Sequence, residues 1–147
     1  MYQRILVPLE ATDYDDAILA HVRDLALHCS ASVVLIHVAD GFAARNQSQL
    51  ALRESDEMKS DREYIETRAD ALELAGLEVE CVLAGGDPAL EIAAAAAREG
   101  CDLIAMSTHG HKGVQDLIRG SVANEVRHQT TVPVLMVRGS PRRLRSD

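Results

Sequence analysis

The chain has 147 residues, enough for one domain with its own core and too few for two. Its hydrophobic fraction of 47% is ample for a packed interior, but there is no Trp and a single Phe, so that interior must be aliphatic. A formal net charge of −8 repels phosphate backbones and argues against nucleic-acid binding, which needs a basic footprint.

Ile5-Leu6-Val7-Pro8-Leu9 reads as a buried first strand. Thr12 or Asp13 is the expected cap of the helix that follows, with Asp15 and Asp16 favourable in its first turn. Ile18, Val22 and Leu25 give that helix one apolar face. Ser32 to Val38, dense in β-branched residues, is the second strand, and 41–49 is a polar connection. A long charged helix runs from about Leu50 to Leu74, with Met58, Ile65, Ala69 and Leu72 as its apolar stripe. Its Arg53, Glu54, Lys59, Arg62 and Glu63 read as a solvated face. Gly76 stops it, and Glu78 to Ala84 is the third strand.

Gly85-Gly86 is expected to turn, Asp87 to cap and Pro88 to open an Ala-rich helix that ends near Gly100. Asp102 to Met106 is a short fourth strand. A glycine-punctuated loop from Ser107 to Gly120 then leads to a helix beginning at Ser121, and Val132 to Val137 is the fifth strand. Residues 1–140 thus form one domain of βαβαβαβαβ order, followed by a basic tail over 141–147 that reads as a solvated, disordered terminus. Helical crossovers between successive strands predict a single, doubly wound, five-stranded parallel α/β sheet with helices on both faces.

Cys29, Cys81 and Cys101 form no C-x-x-C pair and are odd in number, which suits a reducing compartment; each reads as a small core hydrophobe. The first apolar run ends at Glu10, too early for a signal peptide, and no stretch approaches the ~18 apolar residues of a membrane span. The expectation is a soluble, cytoplasmic protein with no membrane insertion.

In an open parallel sheet, ligands bind beyond the carboxyl ends of the strands where the winding reverses. Two loops belong there. One is Pro8-Leu9-Glu10-Ala11-Thr12; the other is Ser107-Thr108-His109-Gly110-His111-Lys112-Gly113, ending in Gly120-Ser121. Gly110 and Gly113 allow close backbone approach, and the first amides of a helix opening at Gly120-Ser121 suit a polyphosphate. Ser121 then either donates to a phosphate oxygen or caps its helix. His109 and His111 lack a third ligand for a metal and read as loop residues, one of them on phosphate. His21 and His28 share a solvated face, His37 serves local backbone or core packing, and His128 complements a helix C-terminus. Neither G-x-x-x-x-G-K-[ST] nor G-x-G-x-x-G nor G-x-S-x-G occurs.

These segments together resemble the universal stress protein family over nearly the whole chain. Ile5 to Glu10 is similar to its opening run, His37-Val38 to its second-strand ending, and Gly86-Asp87-Pro88 to its third turn. Ser107-Thr108-His109-Gly110, nine residues and Gly120-Ser121 resemble the ATP-binding signature G-x-x-G-x9-G-[ST], and Pro133 to Val137 the closing strand. Ser107 stands where that signature begins with Gly, putting a Cβ toward the approach of the ligand, and Glu10 where Asp is usual. The resemblance implies sheet order 3-2-1-4-5, an adenine nucleotide α-hydrolase-like fold, and ATP, or ADP or AMP, as ligand, with Mg2+ accompanying it in family members. It places Pro8 and Glu10 against the adenosine, with Leu9 between them, and Val38 near the adenine. Met106 and Ser107 would border the ribose, while Gly110, Gly120, Ser121 and Val122 cradle the phosphates. It also implies a homodimer through the fifth strand.

Three functions follow from this reading. The first is a nucleotide-binding stress-response or signalling module. The second is an interaction dimer of the same fold that binds no nucleotide, and the third is a slow ATPase. The preserved Gly110 and Gly120-Ser121 favour the first.

Overall fold

The computed structural model describes residues 1–40, 51–109 and 114–139. The strands are β1 (Arg4–Pro8), β2 (Ser32–Asp40), β3 (Val79–Gly86), β4 (Leu103–His109) and β5 (Val134–Gly139). The helices are α1 (Asp15–Cys29), α2 (Ala51–Leu74), α3 (Pro88–Arg98) and α4 (Val114–Gln129). The five strands are parallel in the order β3-β2-β1-β4-β5, the doubly wound arrangement expected from the alternation of elements.

The pleat of β1 assigns its residues to two cores. Ile5 and Val7 point to one face, with Val33, Leu35, Leu103 and Ala105 from the neighbouring strands. There they meet Ile18, Val22 and Ala26 of α1 and Ile65, Ala69 and Leu72 of α2. Leu6 points to the other face, where Val34, Ile36, Ile104 and Met106 pack on Ala89, Ile92, Ala95 and Ala96 of α3 and Ala123 and Val126 of α4. Both cores are aliphatic, as a sheet covered on each side by helices requires. Cys101 is buried in the second core, where burial pushes its thiol up to about 11, so it behaves as a hydrophobe and not as a nucleophile. Cys29 and Cys81 pack against the first core. No helix among the described residues is long and apolar enough to cross a membrane.

Several local expectations change. The cap of α1 is neither Thr12 nor Asp13: Tyr14 holds the N-cap position without a side-chain hydrogen bond. Asp15 stands in the first turn of α1 as expected, and it is fully buried, its carboxylate gathering the amides of the preceding loop. Met58 is half exposed and lies off the buried stripe formed by Ile65, Ala69 and Leu72. Gly85 and Gly86 are not a turn but the last residues of β3, paired with Ala39 and Asp40. Asp87 does cap α3, accepting from the Leu90 amide at 3.1 Å, with Pro88 as first helical residue.

The largest revision is at α4. Ser107, Thr108 and His109 extend β4 in register with Val137, Arg138 and Gly139, so β5 also sits two residues later than expected. The helix starts at Val114, not Ser121. Val114 to Arg119 contains no helix breaker, and one interior Gly costs only about 1 kcal/mol relative to Ala, so Gly120 does not interrupt it. The polar connection over 41–49, His111 and the basic tail lie outside the described residues.

Candidate functional site

β1 and β4 are adjacent, yet the chain winds outward from them in opposite directions, through α1 on one face and α4 on the other. Beyond their carboxyl ends lies a cleft of about 380 Å3. Its walls come from the end of β1 (Pro8, Leu9, Glu10), the end of β2 (Ile36, His37, Val38), the start of α3 (Pro88, Ile92), the end of β4 (Met106, Ser107) and α4 (Val122). The volume falls within the range of about 300–1,000 Å3 common for small-molecule sites.

Seven residues singled out from the sequence meet here: Pro8, Leu9, Glu10, Val38, Met106, Ser107 and Val122. Of the others, Gly110 and Gly113 lie outside the described residues. His109 ends β4, and Gly120 and Ser121 lie within α4, next to Val122. Sequence reasoning missed Ile36, His37, Pro88 and Ile92 as cleft residues. Ile36 was legible in principle, because parallel pairing in register sets it beside Pro8. Pro88 and Ile92 come from the helix that crosses back over the sheet, and only the topology brings them there.

The β1–α1 loop is tightly held. The Leu9 amide donates to the Ile36 carbonyl at 2.7 Å, and the Leu9 carbonyl lies 2.9 Å from His37 Nδ1. A carbonyl can only accept, so Nδ1 carries a proton and Nε2 faces Asp61 of α2 at 3.5 Å. His37 is therefore a backbone clamp as expected, and also a cleft wall.

Ser107 does not turn its hydroxyl into the cleft. Its Oγ donates to the Tyr14 carbonyl at 3.3 Å, toward α1, so the polar end of this side chain is directed away from the approach of a ligand. Val38, Ile36, Ile92, Met106 and Val122 give the cleft an apolar part. Glu10 and His37 are the ionisable groups among its described lining residues. No group of three or more His, Cys, Asp or Glu that could hold a metal ion occurs among the described residues. Such a site suits a flat, largely apolar ring system with hydrogen-bonding edges.

The fold and cleft define a doubly wound α/β protein with a ligand-sized site at its topological switch point. The profile of the universal stress protein family matches residues 1–138, and the chain belongs to that family. It is 29% identical to universal stress protein MJ0577 of Methanocaldococcus jannaschii, over 94% of this chain and 96% of that one. Among solved structures, that of MJ0577 superposes with a TM-score of 0.81 at 26% identity, covering 97% of this chain and 99% of the other. Two more distant structures share the fold. One is a universal stress protein in complex with cAMP (TM-score 0.70, 17% identity, covering 95% and 98% of the two chains). The other is the universal stress protein of Archaeoglobus fulgidus in complex with dAMP (TM-score 0.71, 18% identity, covering 93% and 98%).

Proposed function

We propose that this protein binds an adenine nucleotide, ATP in the first instance, in the cleft between β1 and β4, and acts as a stress-response or signalling module. The observation that carries the reading is the convergence of Pro8, Glu10, Val38, Met106 and Val122, from four separate elements, on one cleft of mixed apolar and polar lining at the switch point. Two relatives of the same fold were solved with cAMP and dAMP, ligands that have adenine and a pentose phosphate in common. In this chain Val38, Met106 and Ile92 would pack on the base, and the Glu10 carboxylate would accept from a sugar hydroxyl or an exocyclic amine. The N-terminus of α3 is no place for the phosphates, because Asp87 already takes its Leu90 amide and adds negative charge. The phosphates are assigned to the glycine signature with Gly110, Gly113 and Lys112, on the sequence alone. A divalent ion would then travel with the phosphates.

The same reading makes the protein a homodimer. β5 forms one edge of the sheet and pairs with β4 alone among the described strands. Its Met136 is 42% exposed, an apolar side chain on an open edge that a second copy would cover.

Calorimetric titration of nucleotide-stripped protein with ATP and Mg2+ tests the binding, with AMP, cAMP and GTP as comparisons. Saturable ATP binding, weaker with GTP and abolished by Val38→Trp, supports it. Absence of heat and of any thermal shift at millimolar ATP overturns it and leaves the nucleotide-free interaction dimer.

A further inference from the structure

The strongest feature that nucleotide contact does not use is a buried carboxylate. Asp15 is 0% exposed, lies at the start of α1 and is not among the residues that line the cleft. Its oxygens accept from the amides of Glu10 (2.9 and 3.1 Å), Ala11 (2.8 Å) and Thr12 (3.3 Å). A fourth donor comes from far along the chain: the Tyr64 hydroxyl of α2, at 2.7 Å. A buried carboxylate is costly unless its lone pairs are met, and here four donors meet them. Arg68, one turn further along α2, stacks over the Tyr64 ring at 4.6 Å and fixes its plane.

This arrangement imposes a conformation. Ala11 has φ 66°, in the left-handed region that alanine disfavours. Three successive amides turned toward one carboxylate hold it there, and the same turn presents Glu10 to the cleft. The second link from α2 reinforces the first: Asp61 lies against His37, which holds the carbonyl of Leu9. Asp61, Tyr64 and Arg68 thus occupy one face of α2; Asp61 meets the cleft wall at His37, and Tyr64 reaches it through Asp15.

We infer that Asp15 and Tyr64 are positioning residues for the cleft: they set the backbone over 10–12, and Glu10 with it, for the ligand, and so couple cleft occupancy to the seating of α2. This rests on the nucleotide reading above. Coupling is reciprocal, so a ligand that tightens the Glu10 loop must also tighten the Asp15–Tyr64 bond.

The test compares the wild-type chain with Tyr64→Phe and Asp15→Asn by ATP titration with Mg2+, each well below its own melting transition. Tyrosine emission is followed in parallel, unobscured because the chain has no Trp. Tyr64→Phe removes one hydroxyl and should weaken ATP binding about 5-fold or more, the lower end of ordinary coupling. Asp15→Asn sets an amide donor against backbone donors and should weaken it further. ATP should alter wild-type tyrosine emission, and Tyr64→Phe should abolish that change. Wild-type affinity in Tyr64→Phe overturns the inference, whether or not Asp15→Asn folds. So does an emission change that survives in Tyr64→Phe, since it then arises from Tyr2 or Tyr14. Failure of the wild type itself to bind ATP is a separate result, recognisable without any variant, and removes the nucleotide reading together with this one.

Discussion

The hydroxyl of Ser107 occupies the space that a side chain at Gly139 would need. A Cβ built on Gly139 would collide with Ser107 Oγ and lie 3.1 Å from the Tyr14 carbonyl oxygen that this hydroxyl meets. Gly139 is buried at the end of β5, opposite His109. Serine at the head of the glycine signature is therefore matched by a glycine on the neighbouring strand.

Gly139→Ala should destabilise the protein by about 1–3 kcal/mol, the usual cost of overpacking. Ser107→Ala alone forfeits one neutral hydrogen bond, about 0.5–1.5 kcal/mol. The double variant should be more stable than the sum of the two predicts, because the second change removes the atom that the first one strikes. Urea unfolding of all four proteins measures this, and strict additivity would show that the two side chains do not share the space.

That pair also marks where reading the sequence stopped. The order of elements follows from alternating β-branched runs and helical periodicity, and the sheet order comes only from the resemblance to the universal stress protein family; Ile5, Leu6 and Val7 have nowhere to go in a parallel sheet but into two helical layers. Strand ends were less legible: Ser107 to His109 and Gly85-Gly86 carry loop residue types, and pairing with the neighbouring strand overrides that preference. Asp15 and Tyr64 could not be joined from sequence at all. Their bond spans 49 positions, and an Asp in the first turn of a helix has an ordinary local explanation. Gly120 misled for a related reason: a glycine before a serine resembles a helix start, while none of the six preceding residues is a Gly or Pro that would stop a helix from starting earlier.

At the opposite end of the sheet, Asp102 ties down the start of β1. Its carboxylate accepts from the Gln3 and Arg4 amides at 3.0–3.1 Å. Partial burial alone would raise its pKa, but those amide donors outweigh it and hold the carboxyl below its ordinary value. A carboxyl depressed in the folded state contributes stability that is present above its unfolded value, about 3.9, and lost as pH falls through the folded value. Asp102→Asn should therefore lower stability at neutral pH and flatten the acid limb of the stability profile below about pH 4. Chemical denaturation across pH 2–7 measures both; an unchanged acid limb would mean that other carboxylates set it.

The two contacts of His37 should be unequal. The Leu9 carbonyl at 2.9 Å is a full hydrogen bond, whereas Asp61 at 3.5 Å is partly open to solvent screening and lies beyond good geometry. His37→Leu leaves a carbonyl of the cleft loop without its partner and should cost about 1–3 kcal/mol, while Asp61→Asn should cost under about 1 kcal/mol. Thermal and urea unfolding compare them, and equal losses would place the importance of His37 in its link to α2.

The last prediction concerns the edge of the sheet. β5 presents backbone groups on its open side, and Met136 is exposed there while Val134, Leu135 and Val137 are partly covered. An apolar edge strand either pairs or invites aggregation, and charge is the simplest way to block the pairing. If two copies pair through β5, Met136→Asp places two carboxylates at the centre of the seam, where they repel each other and lose water on pairing. Sedimentation equilibrium should then find the wild type as a dimer and Met136→Asp as a folded monomer with unchanged far-ultraviolet circular dichroism. Because Met136 stands beside Met106 in the register of β4 and β5, loss of the dimer should also reach the cleft wall, and ATP affinity of the monomer is the second readout. A wild type that sediments as a monomer would move the assembly surface elsewhere, and a dimer that survives the charge would exclude Met136 from it.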